Sequence, residues 1–131
     1  MPKSSQPGQE PASVPGVVFA ATDPVARADL SAALAAEGYG VWPVQSGLEA
    51  MSTFLDHTGE VDVFLLDAGL ADVRGEVFTR RLQTLFPGVP CVFVNLQKDL
   101  PRSAVLRAVH RAIALGVGDI VALPPAISDV A

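Results

Sequence analysis

From Val17 onward, short apolar runs alternate with longer stretches in which apolar residues recur every three or four positions. The runs occupy 17–21, 39–44, 61–67, 91–95 and 119–123. Their length and their Val, Ile and Phe content predict strands, and near-continuous apolarity in the run 61–67 predicts a strand buried on both faces of a parallel sheet. Helices fill the intervals. The first begins after Asp23, an N-cap, with Pro24 at the first helical position; Leu30 and Leu34 share one face and Gly38 closes it as a left-handed cap. Ser46 caps a second helix to about His57, with Gly59 beyond it. A third covers 76–85 and stops before Pro87-Gly88. A fourth starts near Pro101, carries Val105, Val109 and Ile113 on one stripe, and ends before Gly116.

Five strands joined by four helices read as βα units around a parallel sheet. Right-handed crossovers narrow the strand order to 2-1-3-4-5, the flavodoxin-like, doubly wound α/β class. In that order strands one and three are neighbours, so the loop after strand one faces the end of strand three.

At 131 residues with a 50% apolar share, the chain has room for one core. Residues 1–16 contain Pro2, Pro7, Pro11 and Pro15 among Ser, Gln and Gly, and are read as a disordered arm before a domain at 17–131. No apolar run approaches the roughly 20 residues that span a bilayer, and the first residues lack a signal-peptide core, so a cytoplasmic protein is expected. The single cysteine, Cys91, falls in an apolar run and reads as a small buried hydrophobe. A net charge of −5 argues against nucleic-acid binding and points to protein partners or small ligands.

The run 61–67 ends in one carboxylate, Asp67, at the place where open α/β sheets keep their chemistry. The loop from Ala68 to Gly75 resembles the one that follows the phospho-accepting aspartate of response-regulator (CheY-like) receiver domains, with Asp and Gly at the family's separation and without its proline. Arg27, Leu30, Leu34, Gly38-Tyr39 and Val41, then Ser46-Gly47, Glu49-Ala50-Met51 and Gly116-Val117-Gly118-Asp119, extend the resemblance over 17–124. It implies a domain of two-component signalling, with Asp67 as phospho-acceptor and histidine-kinase, effector or scaffold partners. A homodimer is compatible with it.

The chain departs from the family where the phosphorylation chemistry is done. The acidic pair that ends strand one in a receiver falls on Ala21 and Thr22; Asp23 is acidic one place later, and two readings compete for it, helix cap and Mg²⁺ ligand beside Asp67. Asn95 stands at the family's Ser or Thr position, offering an amide for a hydroxyl. Leu123 replaces the lysine before Pro124, whose peptide bond is cis in the family. An ammonium about 4 Å from a phosphoaspartate contributes on the order of 4 kcal/mol at an effective dielectric near 20, and each roughly 1.4 kcal/mol is tenfold in rate. These departures imply a pseudo-receiver that keeps the scaffold and loses the transfer site, with no cofactor expected and Mg²⁺ only if the site works. The last helix of the family, after Pro124, is expected to be truncated or absent, and the interval from Asn95 to Leu123 is longer than the family's.

His57 and His110 lie on different helices without metal-site spacing and read as surface residues. Arg80, Arg81, Arg102, Arg107 and Arg111 give the later helices a basic bias that reads as solvated charge or as a docking site. Trp42 reads either as an exposed edge-strand contact or as packed under the arm. Three functions follow: a phosphorylation-independent interaction module that is not an enzyme; a receiver still phosphorylated on Asp67; and an unrelated flavodoxin-like nucleotide or flavin enzyme, for which no Gly-rich phosphate loop is present.

Overall fold

The computed structural model describes residues 14–73, 76–96, 100–116 and 120–123. They form five strands, β1 (Gly16–Ala20), β2 (Gly40–Val44), β3 (Val63–Asp67), β4 (Cys91–Val94) and β5 (Ile120–Leu123). Four helices alternate with them: α1 (Pro24–Ala36), α2 (Gly47–Asp56), α3 (Glu76–Leu85) and α4 (Arg102–Leu115), with one 3₁₀ turn at Ala71–Val73. Every strand pair is parallel and the order is β2-β1-β3-β4-β5. This is the expected flavodoxin-like α/β sheet.

Local chemistry sets the helix ends as the sequence predicts. The Asp23 carboxylate accepts from the Val25 N–H at 3.0 Å. At α2, the Glu49 N–H donates to Ser46 Oγ while Glu49 Oε1 reaches past the cap to accept from the Gln45 N–H, a variant of the capping box. Gly116, at φ 60°, takes the left-handed conformation that ends α4, and its N–H donates to the Ala112 carbonyl. Strand ends shift by one or two residues from expectation, β2 starting at Gly40, β4 ending at Val94 and β5 starting at Ile120, and the larger changes are at β1 and β3. Gly16 opens β1 instead of closing the arm, because its N–H donates to Asp62 Oδ2 while its carbonyl accepts from the Asp62 N–H. That engagement also delays β3 to Val63. Residues 1–13 and 124–131 lie outside the described residues, and with them the rest of the arm, Pro124 and the expected loss of the last helix.

The central strands β1, β3 and β4 are covered on both faces. On one, Val17, Phe19, Val63, Leu65, Val92 and Val94 pack against Leu30 and Leu34 of α1 and Val105, Val109 and Ala112 of α4. On the other, Val18, Ala20, Phe64 and Leu66 pack against Ala50 and Met51 of α2 and Phe78 and Leu82 of α3. Ala112, not Ile113, completes the buried stripe of α4, and Ile113 is half-buried.

The placement of α4 corrects the expectation of uniform handedness. The β2–α2–β3 and β3–α3–β4 connections step across the sheet in one direction with their helices on the same face, and β1–α1–β2 steps the other way with α1 opposite. These three share one hand. The β4–α4–β5 connection steps in the direction of β3–α3–β4, yet α4 lies on the α1 face. It therefore has the opposite hand. Arg102 at the start of α4 forms a two-pronged ion pair with Asp29 of α1, at 2.9 and 3.1 Å, which ties the two helices together.

β2 forms an edge, where Pro43 costs no ladder bond to a further strand. Trp42 is half-buried there, its ring 4.8 Å from that of His57, so it packs onto the end of α2. Among the described residues, no helix is long and apolar enough to cross a membrane.

Candidate functional site

Asp67 closes β3 opposite Val94 of β4 and is 8% exposed. The chain turns at once: the Ala68 N–H donates to the Val94 carbonyl at 2.7 Å, the Gly69 N–H to Asp67 Oδ1 at 3.0 Å, and the Leu70 N–H to the Asp67 carbonyl at 3.0 Å. These bonds hold the carboxylate at the mouth of a cavity of about 290 Å³ lined by Thr22, Asp23, Ala26, Asp67, Gly69 and Leu96. The pairing of β1 with β3 brings the two loops together, as the strand order predicts.

The other sequence-predicted positions separate into those that reach this cavity and those that do not. Thr22 and Asp23 line it, and both are exposed. Ala21 is fully buried in the core beneath α1 and α4, so the end of β1 contributes a methyl group where a carboxylate would stand. Asn95 follows Val94, the register partner of Asp67, and is half-buried. Leu123 pairs with Val94, two strands from Asp67. Gly75, Gly118 and Asp119 lie outside the described residues.

Mg²⁺ takes six oxygens in near-octahedral geometry, usually one or two carboxylates and several waters, and the carboxylates that line this cavity are Asp67 and Asp23. Asp67 already accepts from Gly69, and Asp23 accepts from Val25 at the start of α1. Among the described residues, no three His, Cys, Asp or Glu side chains converge in a way that would hold a metal.

Several contributors were not singled out from the sequence. Leu96 and Ala26 give the cavity apolar walls. Arg27 served there as a family marker, but its guanidinium has a definite job: Nη1 donates to the carbonyls of Ala21 at 2.7 Å and Thr22 at 3.3 Å, pinning the loop after β1. Asp72 reaches back to α2, where Oδ1 accepts from the Gly47 N–H at 3.0 Å and Oδ2 from the Leu48 N–H at 2.9 Å. A carboxylate suits the positive end of a helix, and here it fastens the loop after Asp67 to a different element. Gly47 permits the approach, since a Cβ there would lie 2.5 Å from Val73 and 2.8 Å from the Phe78 ring. Spacing in the sequence carries no sign of a bond between residues so far apart.

Elsewhere the ionisable groups have structural surroundings. Burial pushes the Cys91 thiol far above its usual range, which makes it inert. Burial, and then the Glu37 charge, raise the Tyr39 hydroxyl, whose oxygen is 3.5 Å from His110 Nδ1. His57 Nδ1 lies 3.6 Å from Glu60 Oε2.

A parallel sheet of this order with an acid at the carboxyl end of β3 defines the fold of response-regulator receiver domains, and solved structures of that class superpose on this chain. The crystal structure of the receiver domain from the hybrid histidine kinase CckA is similar at a TM-score of 0.64 and 17% identity, covering 75% of this chain and 98% of that one. A response-regulator receiver protein from Sinorhizobium medicae is similar at 0.64 and 18%, covering 78% and 95%. The receiver domain of TorR, the response regulator of a TMAO respiratory system, is 26% identical at a TM-score of 0.54, covering 88% of each chain. No protein-family model and no curated protein sequence matches. The likeness establishes the fold, while function has to be argued from the site.

Proposed function

We propose that this chain is a receiver-like domain of two-component signalling that works through its surfaces, without phosphorylation and without enzymatic activity of its own. One observation carries the reading: around Asp67, the position that would supply metal-binding carboxylates holds the buried Ala21, and the neighbouring acid, Asp23, caps α1. Arg27, in the first turn of α1, donates to two carbonyls of the loop after β1. Phosphoryl transfer depends on positioning and on neutralising charge at the transferred group, and the described cavity walls supply the acceptor, Asp23 and the Thr22 hydroxyl but no cationic side chain. The partners in this reading are signalling proteins. The solved neighbours include the receiver domain of a hybrid histidine kinase and a two-component transcriptional regulator.

Retained phosphorylation on Asp67 is the second reading, favoured by Asp23 and Asp67 facing the same cavity. An NMR titration with Mg²⁺ and then beryllofluoride, a mimic of the phosphoryl group on aspartate, separates the two. The expected result is no saturable shift of the amides near Asp67 and Asn95 at millimolar Mg²⁺. Saturable shifts that disappear in Asp67→Asn overturn the proposal in favour of a phospho-switch.

A further inference from the structure

Among the described residues, seven large apolar side chains stand more than half exposed, and four of them lie on α2 and α3: Leu48 at 70%, Leu55 at 63%, Val77 at 68% and Leu85 at 55%. The other three lie apart from one another in the chain, Val14 before β1, Val25 on α1 and Leu115 on α4. Leu48 and Leu55 are two turns apart on one side of α2, and Val77 and Leu85 share a side of α3 with Arg81 one turn from each. Both helices lie on the same sheet face and run in the same direction. Winding outward from their buried stripes, Ala50 and Met51 on one and Phe78 and Leu82 on the other, turns both rows toward the seam between the helices. The floor of that seam is aromatic, with the rings of Phe54 and Phe86 4.3 Å apart. Apolar rows gathered along one seam, unlike single exposed side chains, mark an interaction surface.

We propose that this seam binds a second copy of the chain about a two-fold axis running along it, with α2 of each copy seated on α3 of the other. Charge selects both the occupant and the arrangement. The outward side of α2 carries Glu49 and Asp56, and α3 carries Arg81 beside its apolar row. Packing α2 on a second α2 sets acid against acid. Packing α2 on α3 aligns Leu48 with Val77 and Leu55 with Leu85, and places Arg81 between Glu49 and Asp56 of the second copy. Such a surface is self-complementary, as an isologous contact requires. Two ten-residue helices, each about 15 Å long, offer roughly 500 Å² per copy, which places the contact among small, reversible interfaces. The inference does not depend on whether Asp67 accepts a phosphoryl group.

Sedimentation velocity on the full chain from about 5 to about 500 µM tests it. The expected result is a sedimentation coefficient that rises with concentration toward a dimer. Leu55→Glu should leave a monomer whose circular dichroism is unchanged. Asp56→Arg and Arg81→Glu should each weaken association about tenfold, and the double variant, with the charges exchanged, should recover most of it. A monomer at every concentration overturns the proposal and leaves the seam to a different protein. A dimer indifferent to Leu55→Glu, or a double variant no better than the single ones, overturns the arrangement.

Discussion

Asp67 and Asp72 stand five residues apart at the same end of the sheet and are used in opposite ways. Asp67 is buried, and its Oδ1 accepts from the Gly69 N–H in its own turn. Asp72 is exposed, yet each of its oxygens accepts a backbone N–H at the start of α2. Exposure therefore does not measure whether a carboxylate is available for chemistry. Where the bonds go tells more: Asp72 spends both oxygens on a different element and is a fastening, while the bond to Asp67 comes from its own turn and leaves its carboxylate facing the cavity.

Asp72→Ala should have the largest effect on stability. It removes two charge-assisted bonds from a helix terminus, and a loss of about 2 kcal/mol in urea denaturation is expected, tempered by water reaching the freed amides. Cys91 sharpens the contrast, because it is buried without a charge to stabilise. Its thiol keeps its proton in the fold while the unfolded chain loses it above about pH 8.5. Stability is then full below that pH and falls above it by about 1.4 kcal/mol per pH unit, a slope that Cys91→Ala should flatten. Denaturation series between about pH 8 and 9.5 check this below the range where Tyr39, shifted the same way, contributes. Asp67→Asn should have the smallest effect, within about 0.5 kcal/mol by the same denaturation assay, since an amide oxygen can still accept from Gly69. A cost equal to that of Asp72→Ala would break the comparison.

The placement of α4 has a bearing on any surface-based role. It shares the α1 face, leaving α2 and α3 as the described helices on the other. The α2–α3 seam is thus bordered by no third described helix, and its exposed leucines and valine have room to meet a partner.

Much of the fold was legible in the sequence because its signals are short-range. Asp23-Pro24, Ser46 with Glu49, and Gly116 each act within a turn of their own helix, and α1 and α3 begin and end where the pattern predicts. Of the site, Asp67 and its meeting with Thr22 and Asp23 followed from strand order alone. Apolar periodicity says that a helix has a buried side, not which face of the sheet receives it, so the face chosen by α4 was decided by packing against α1. Arg27 on the carbonyls of Ala21 and Thr22, and Asp72 on the amides of Gly47 and Leu48, are likewise decisions of the tertiary structure. A polar side chain in a sequence declares what it can bond, and only the folded chain brings a backbone partner within 3 Å of it.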